Sequence, residues 1–344
     1  MEEGKPRHLQ PDFYGRFRCR ASACRHSCCK GWEIDIDENT LEFYQNLSGS
    51  WKDKMDAAIV CDDSGAHFRL TEDERCPFLR KDGLCELICA FGEDALCDIC
   101  ALHPRFYEVV DSYELAGLGL SCEAVCDLLL AEEGELTLRC EETGKKITLS
   151  FLLKSLGCKN AEEALRFIPA EDLSGMLLHL ERTEPIDEAW TEELDRLRKA
   201  LKAGAKPELP AGPSYDRMLQ YIVYRGLEHA ETAGWPAVLR YAREGVSFVA
   251  LQDALYGEDP EHLRRWSEQI EYSTENVDLL LNAVKKSGRK VRFRLTHSSE
   301  GDKLNSDKYL PAWWNGRHQG LKIPCRQLRT RSSRAAGTRS ETVD

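Results

Sequence analysis

Four cysteines crowd into eleven residues of the stretch CRASACRHSCCKGW: Cys19, Cys24, Cys28 and Cys29, the last two adjacent. Thiols cross-link, attack as thiolates, or hold metals, and the rest of the cysteine pattern decides among these. The chain has 15 cysteines, and 13 of them fall between Cys19 and Cys140. After the opening cluster come Cys61, Cys76 in CPFL, Cys85 in GLCEL, Cys89, then Cys97 and Cys100 in LCDIC. Cys122 and Cys126 in LSCEAVC and Cys140 follow, with Cys158 and Cys325 beyond.

Free cysteine usually packs as a small hydrophobe. That role suits Cys61, Cys89, Cys126, Cys140 and Cys158, whose neighbours are ordinary. It does not suit Cys28 and Cys29, which stand among Arg25, His26, Ser27 and Lys30. Cys97 and Cys100 have the spacing of a redox pair, but no strand–CxxC–helix context surrounds them. The N-terminus, MEEGKPRHLQPDF, has no apolar h-region, and no apolar run reaches the ~18 residues of a membrane span. A cytoplasmic protein that neither enters nor binds a membrane is therefore expected. Thiols stay reduced there, so ligation is favoured over disulfides.

Nine cysteines are candidate metal ligands: Cys19, Cys24, Cys28, Cys29, Cys76, Cys85, Cys97, Cys100 and Cys122. A structural zinc takes four. Cys24 and Cys28 begin a CxxxCxxC pattern, but its third position is Gly31, so the triplet of radical enzymes that cleave S-adenosylmethionine is broken. Iron–sulfur clusters tolerate looser spacing. The pattern places iron–sulfur ahead of zinc, with surplus thiols serving a second site or packing around the first.

Charge bounds the partners. The net charge is −12, but the last 59 residues carry 14 Lys+Arg against 5 Asp+Glu, which leaves 33 basic against 54 acidic residues in the first 285. A body of charge −21 repels phosphates, so nucleic acid is not an expected partner, whereas a lysine-bearing surface would be attracted.

The elements that must position the thiols divide by composition. Residues 11–140 read as a compact, loop-rich domain tied together by metal. In it, Asp37 or Asn39 caps a helix with Leu41, Tyr44 and Leu47 on one face, and a short strand precedes Cys76. A hairpin is expected around Cys85, where Asp82–Gly83 signals a turn, and a short helix ends near Pro104. Residues 149–287 show apolar residues at three-to-four spacing in successive segments, with Pro260 at the first turn of a late helix. The expected fold class is mainly α, a small cysteine-cluster metal domain followed by a helical domain. Residues 288–344 are basic and without period. They read as a disordered, divergent tail, in which PAWWNGRHQGLKIPCR resembles translation of a stable-RNA gene.

Taken in order, DFYGRFRC, CCKGWEIDID, CPFL, LCEL, LC–xx–C, HPR at His103–Arg105 and LSCEA resemble the flagellin lysine-N-methylase family of bacteria. The N-terminal part is also similar to small cysteine-cluster domains described as zinc- or iron-chelating. YIVYRGL and WSEQIEYSTENVDLL resemble the family's late helical segments, so the resemblance covers roughly residues 11–285. It implies S-adenosylmethionine as methyl donor, an iron–sulfur cluster of the 4Fe–4S type, and flagellin as the lysine-bearing partner. No GxGxxG follows a strand, so the donor site is not assigned to a Rossmann loop. Candidates near the signature are Trp32, Arg105 and Glu123 for donor binding, with Tyr107, Tyr113 and Glu114 close by in sequence; no catalytic residue is assigned. The other function class is a non-enzymatic zinc- or iron-binding protein whose helices bind a protein partner.

Overall fold

The computed structural model describes residues 7–63, 65–132 and 134–292. The tail assigned from the sequence lies outside them, apart from its first residues: the last helix continues to Arg292, past residue 288.

Seven strands are present among the described residues: β1 (Arg7–Pro11), β2 (Ile59–Asp62), β3 (Gly65–Phe68), β4 (Arg105–Val110), β5 (Tyr113–Leu118), β6 (Thr137–Cys140) and β7 (Lys146–Thr148). The first part of the chain carries α1 (Glu38–Gln45), α2 (Ser50–Ala58), α3 (Glu86–Phe91), α4 (Asp98–Leu102) and α5 (Glu123–Leu130). Nine more helices follow: α6 (Leu149–Ser155), α7 (Ala161–Ala164), α8 (Leu173–Leu180), α9 (Glu188–Lys202), α10 (Pro213–Arg225), α11 (Ala230–Ala233), α12 (Trp235–Tyr256), α13 (Pro260–Ile270) and α14 (Thr274–Arg292).

Helix is the majority element, in line with the expected class, but a five-stranded mixed sheet accompanies it that the sequence did not announce. Its order is β4-β5-β1-β6-β7, with β1 parallel to β5 and antiparallel to β6. The β4–β5 hairpin turns at Asp111, which takes φ +52° without the Asn-Gly or Asp-Gly pair that would mark such a turn. The strand expected before Cys76 is β3, paired with β2.

Apolar packing forms two cores. A small one joins Ile34, Ile36, Tyr44, Met55, Ala58, Phe68, Cys76, Phe78, Leu87 and Cys97. A much larger one takes the sheet, α5 and the later helices together, so β1 and β4–β6 share a core with segments more than a hundred residues away. Local signals behave as expected: the Asp37 carboxylate caps α1 by accepting from Thr40 N at 3.0 Å, and Asp259 caps α13, which starts with Pro260. Gly245 lies where α12 meets Trp266 of α13. A Cβ there would stand 2.5 Å from the indole, so only glycine permits that approach.

Two tyrosines one helical turn apart join α10 to the sheet. β1 pairs with β5 only over Tyr113–Leu115 before turning to β6, which leaves the β1-facing backbone of Ala116–Leu118 to find other partners. The Tyr224 hydroxyl donates to Ala116 O at 2.8 Å. The Tyr221 hydroxyl donates to Leu118 O and accepts from Leu118 N, both at 2.8 Å. Side-chain hydroxyls thus stand in for a missing strand, since unpaired buried peptide groups are costly. Tyr221→Phe keeps the ring but orphans Leu118 N–H and C=O. It should cost about 2 kcal/mol, read as a lower urea midpoint; an unchanged midpoint would show that Leu118 has another partner.

Candidate functional site

From Arg18 to Glu33 no residue is buried. This segment carries four of the nine candidate ligands, and hydrogen bonds locate it together with the partly buried Cys29 and Trp32, which pack against the small core. At its far end it joins the small core: Cys29 O accepts from Cys76 N at 2.8 Å, Gly31 N donates to Glu74 O at 2.9 Å, and Lys30 bridges to Arg75. The Trp32 indole N–H donates back to Cys28 O at 2.5 Å. Nearer its start, the segment crosses the first turn of α5. There Glu123, buried although charged, accepts from His26 N at 2.7 Å, and Arg20 pairs with Asp127. Helix α13 adds the third hold, with Arg25 3.4 Å from Asp259 and His26 3.0 Å from Glu261.

The other thiols are placed by short elements. Cys85 immediately precedes α3, Cys97 precedes α4, and Cys122 precedes α5. In each the cysteine is the N-cap residue, without a side-chain cap hydrogen bond. Burial raises both the Cys85 and the Cys122 thiol, with the nearby helix-start amides of Ile88 and Leu87 and of Val125 and Ala124 acting against it. Leu79 bridges to Cys85 in the turn expected at Asp82–Gly83, where Gly83 has φ +79°. The Cys97 and Cys100 sulfurs lie 3.5 Å apart.

The electrostatics are those of crowded thiols. Burial pushes Cys76 up to about 12. It also pushes Cys24 up to about 11, with Glu123, Cys122 and Cys19 adding to the effect. Cys28 and Cys29 share a hydrogen bond that raises Cys28 and draws Cys29 down to about 7. All fourteen described cysteines are free thiols. Nine sulfurs in two neighbouring regions, none of them cross-linked and several raised by one another, match the donor chemistry of a thiolate-bound metal, which would relieve that crowding.

Of the donor-site candidates, Trp32 and Arg105 come near one another through His103. The Trp32 and His103 rings are 6.4 Å apart, and Arg105 lies over the Phe17 ring at 5.3 Å. Glu123 is committed to the His26 backbone. Tyr107 meets the Tyr14 hydroxyl at 3.1 Å, Glu114 pairs with His8, and Tyr113 lies 3.3 Å from Ser155 Oγ. Three side chains not singled out in the sequence join the site: His26, Glu261 and Tyr272, whose hydroxyl accepts from Ser121 Oγ at 2.6 Å. Tyr272 lies in the segment WSEQIEYSTENVDLL, Glu261 in the first turn of α13, and His26 beside the thiols themselves, where it read only as polar company. His26, Glu123 and Glu261 bring candidate ligand atoms within 4.8 Å of one another, closer than any three thiols among the described residues. A cleft of about 220 Å³ between α8 and α9, lined by Leu180, Trp190 and Arg198, shares no residue with the thiol segments.

The site is a thiol-rich loop held between a small core and a helical body. Comparison with known proteins gives it relatives. The chain is 29% identical over 135 residues to a lysine-N-methylase of Salmonella typhimurium, and equally so to one of Salmonella choleraesuis. It is 27% identical over 135 residues to a flagellar biosynthetic protein, FliU, of Salmonella muenchen. The match takes in 38% of this chain, 34% of each lysine-N-methylase and 80% of the FliU protein. The chain thus spans about a third of the length of the two methylases it matches. The resemblance to the lysine-N-methylase family is borne out over that stretch. No family model matches the chain, and no solved structure matches it.

Burial, with Arg105 beside it, holds His103 down at about 4 against an ordinary 6.5. The ring is therefore neutral in the fold, and as pH falls the unfolded chain takes the proton first. Stability owed to the neutral ring is complete above pH 6.5 and is lost as pH falls towards 4. Between pH 7 and 4.5 the wild type should lose about 2 kcal/mol more than His103→Gln, read from urea unfolding. Parallel losses in the two proteins would place His103 in contact with water.

Proposed function

We propose that this chain transfers methyl groups from S-adenosylmethionine to lysine ε-amines of flagellin, on a fold held by a thiolate-bound iron–sulfur cluster. The observation that carries the reading is the 135-residue match to proteins named lysine-N-methylase. The related FliU name supports a flagellar partner. The nine thiols support the cluster. Zinc is the alternative metal: bonds to sulfur of about 2.3 Å set its ligand sulfurs about 3.8 Å apart, close to the 3.5 Å between Cys97 and Cys100.

The chemistry asked of the protein is a polar displacement. The amine lone pair forms the new C–N bond while the donor's C–S bond breaks and its electron pair returns to sulfur. A proton then leaves the product ammonium. A free lysine has a pKa of about 10.4, so the site must favour the neutral amine. An acidic body recruits lysine-bearing surfaces, and holding amine and methyl in line supplies much of the rate. An iron–sulfur cluster, when bound, supplies a rigid anionic cross-link between segments, and the displacement itself consumes no electron. Its four ligands would be drawn from Cys19, Cys24, Cys28, Cys29, Cys76, Cys85, Cys97, Cys100 and Cys122. No helix among the described residues is long and apolar enough to cross a membrane.

The second reading is a non-enzymatic metal-binding protein, which the free thiols of the described residues equally support. Mass spectrometry of flagellin incubated with anaerobically purified protein and S-adenosylmethionine separates the two. The methylase reading expects gains of one methyl mapping to lysines, reduced at least about tenfold in Cys28→Ser and unchanged in Cys158→Ser. A metal-loaded protein that leaves every flagellin lysine unmodified would leave the metal-binding reading standing alone.

A further inference from the structure

The nine signature thiols do not surround one point. Cys29, Cys76, Cys85, Cys97 and Cys100 all belong to or pack against the small core. Cys122 packs instead against the large core, at the start of α5. The loop bearing Cys19, Cys24 and Cys28 is laid across that same first turn by the His26–Glu123 and Arg20–Asp127 contacts. Adjacent residues therefore face different company. Cys29 is tied through its carbonyl to Cys76, while Cys28 precedes the turn into the small core. From these placements we propose that the chain holds two metal centres, one on Cys19, Cys24, Cys28 and Cys122 and the other drawn from Cys29, Cys76, Cys85, Cys97 and Cys100. The Cys28–Cys29 peptide is the link between them.

Several observations agree. Within the first set, Cys24 is influenced by Cys19 and Cys122, Cys28 by the same two, and Cys122 by Cys19. Within the second, Cys76 is influenced by Cys29, Cys85 and Cys97, and Cys100 by Cys97, Cys29 and Cys76. The two sets meet at the hydrogen bond between the Cys28 and Cys29 thiols. Four thiolates complete either a zinc site or an iron–sulfur cluster, so the first set is a full complement and the second has one thiol to spare. Neighbouring cysteines serving separate clusters have a precedent in two-cluster ferredoxins, where one cysteine of a run ligates the other cluster. Adjacency is otherwise hard to explain, because two consecutive thiols on one small centre must bend a short ring of backbone around the metal. A pair of centres sharing one peptide would lock the small core, the α5 start and the crossing loop into one arrangement.

The inference rests on the thiolate–metal part of the proposed function and not on methyl transfer, so its test reads metal alone. Iron, acid-labile sulfide and zinc are measured per folded chain in anaerobically purified wild type, Cys24→Ser and Cys76→Ser, with circular dichroism to monitor folding. Wild type should hold two centres' worth: about eight irons with eight sulfides, about four of each with one zinc, or about two zincs. Cys24→Ser should keep one centre's worth and lose the centre on α5. Cys76→Ser should keep the α5 centre and lose the other. One centre's worth in wild type overturns the inference while leaving a single thiolate centre in place, and it does so even if both variants fail to fold. Folded variants that each lose all metal also overturn it. Wild type with no metal at all overturns the thiolate reading itself.

Discussion

The cysteine-rich half depends on one constraint: the segment from Arg18 to Glu33 buries no side chain, yet it must stay fixed between two cores. The segment's apolar contact comes from Cys29 and Trp32, partly buried against the small core. Its backbone ties at Cys29, Lys30 and Gly31 and its side-chain ties at Arg20, Arg25 and His26 are mostly half-exposed, and such contacts contribute little each. The small core beside it closes over ten buried residues, two of them cysteines. Cores of that size usually need a staple, and a thiolate-bound metal is the staple this composition offers.

The helical body is more than a scaffold behind the thiols. Its α13 reaches the crossing loop through Asp259 and Glu261, and Tyr272 reaches Ser121 beside Cys122. Arg225 at the end of α10 pairs with Glu271 at 2.6 Å, a buried ion pair that fixes the turn into α14. The tyrosines of α10 meanwhile satisfy the β5 backbone, and β5 leads directly into Cys122. Positions late in the chain therefore set where the α5 thiol stands.

Much of this was legible in the sequence, and the reason is chemical. Cysteine in polar company is conspicuous, Asp37 signals a helix cap and Pro260 a helix start, and the helical segments from Leu149 onwards carry plain three-to-four spacing. The sheet was not legible. Its strands are three to six residues long, β1 pairs with β6 across more than 120 residues, and the β4–β5 turn uses Asp111 without a following glycine. The partition of the thiols was equally hidden, because it depends on Cys122 standing on α5 while its neighbours in number, Cys97 and Cys100, stand on α4. Glu123 read as a ligand-binding candidate; its carboxylate holds the His26 backbone, a role no spacing rule encodes.

Hydrogen exchange on protein with its metal in place, and again after chelation, tests the central claim that metal fixes the crossing segment. With metal, the amides of His26, Gly31 and Cys76 should be protected. After chelation they should exchange at least about a hundredfold faster, as local opening without the staple requires. The amides of α10, α12 and β5 should keep their protection. Equal protection of His26, Gly31 and Cys76 before and after metal removal would contradict the account, because hydrogen bonds and small-core packing alone would then suffice to hold the segment.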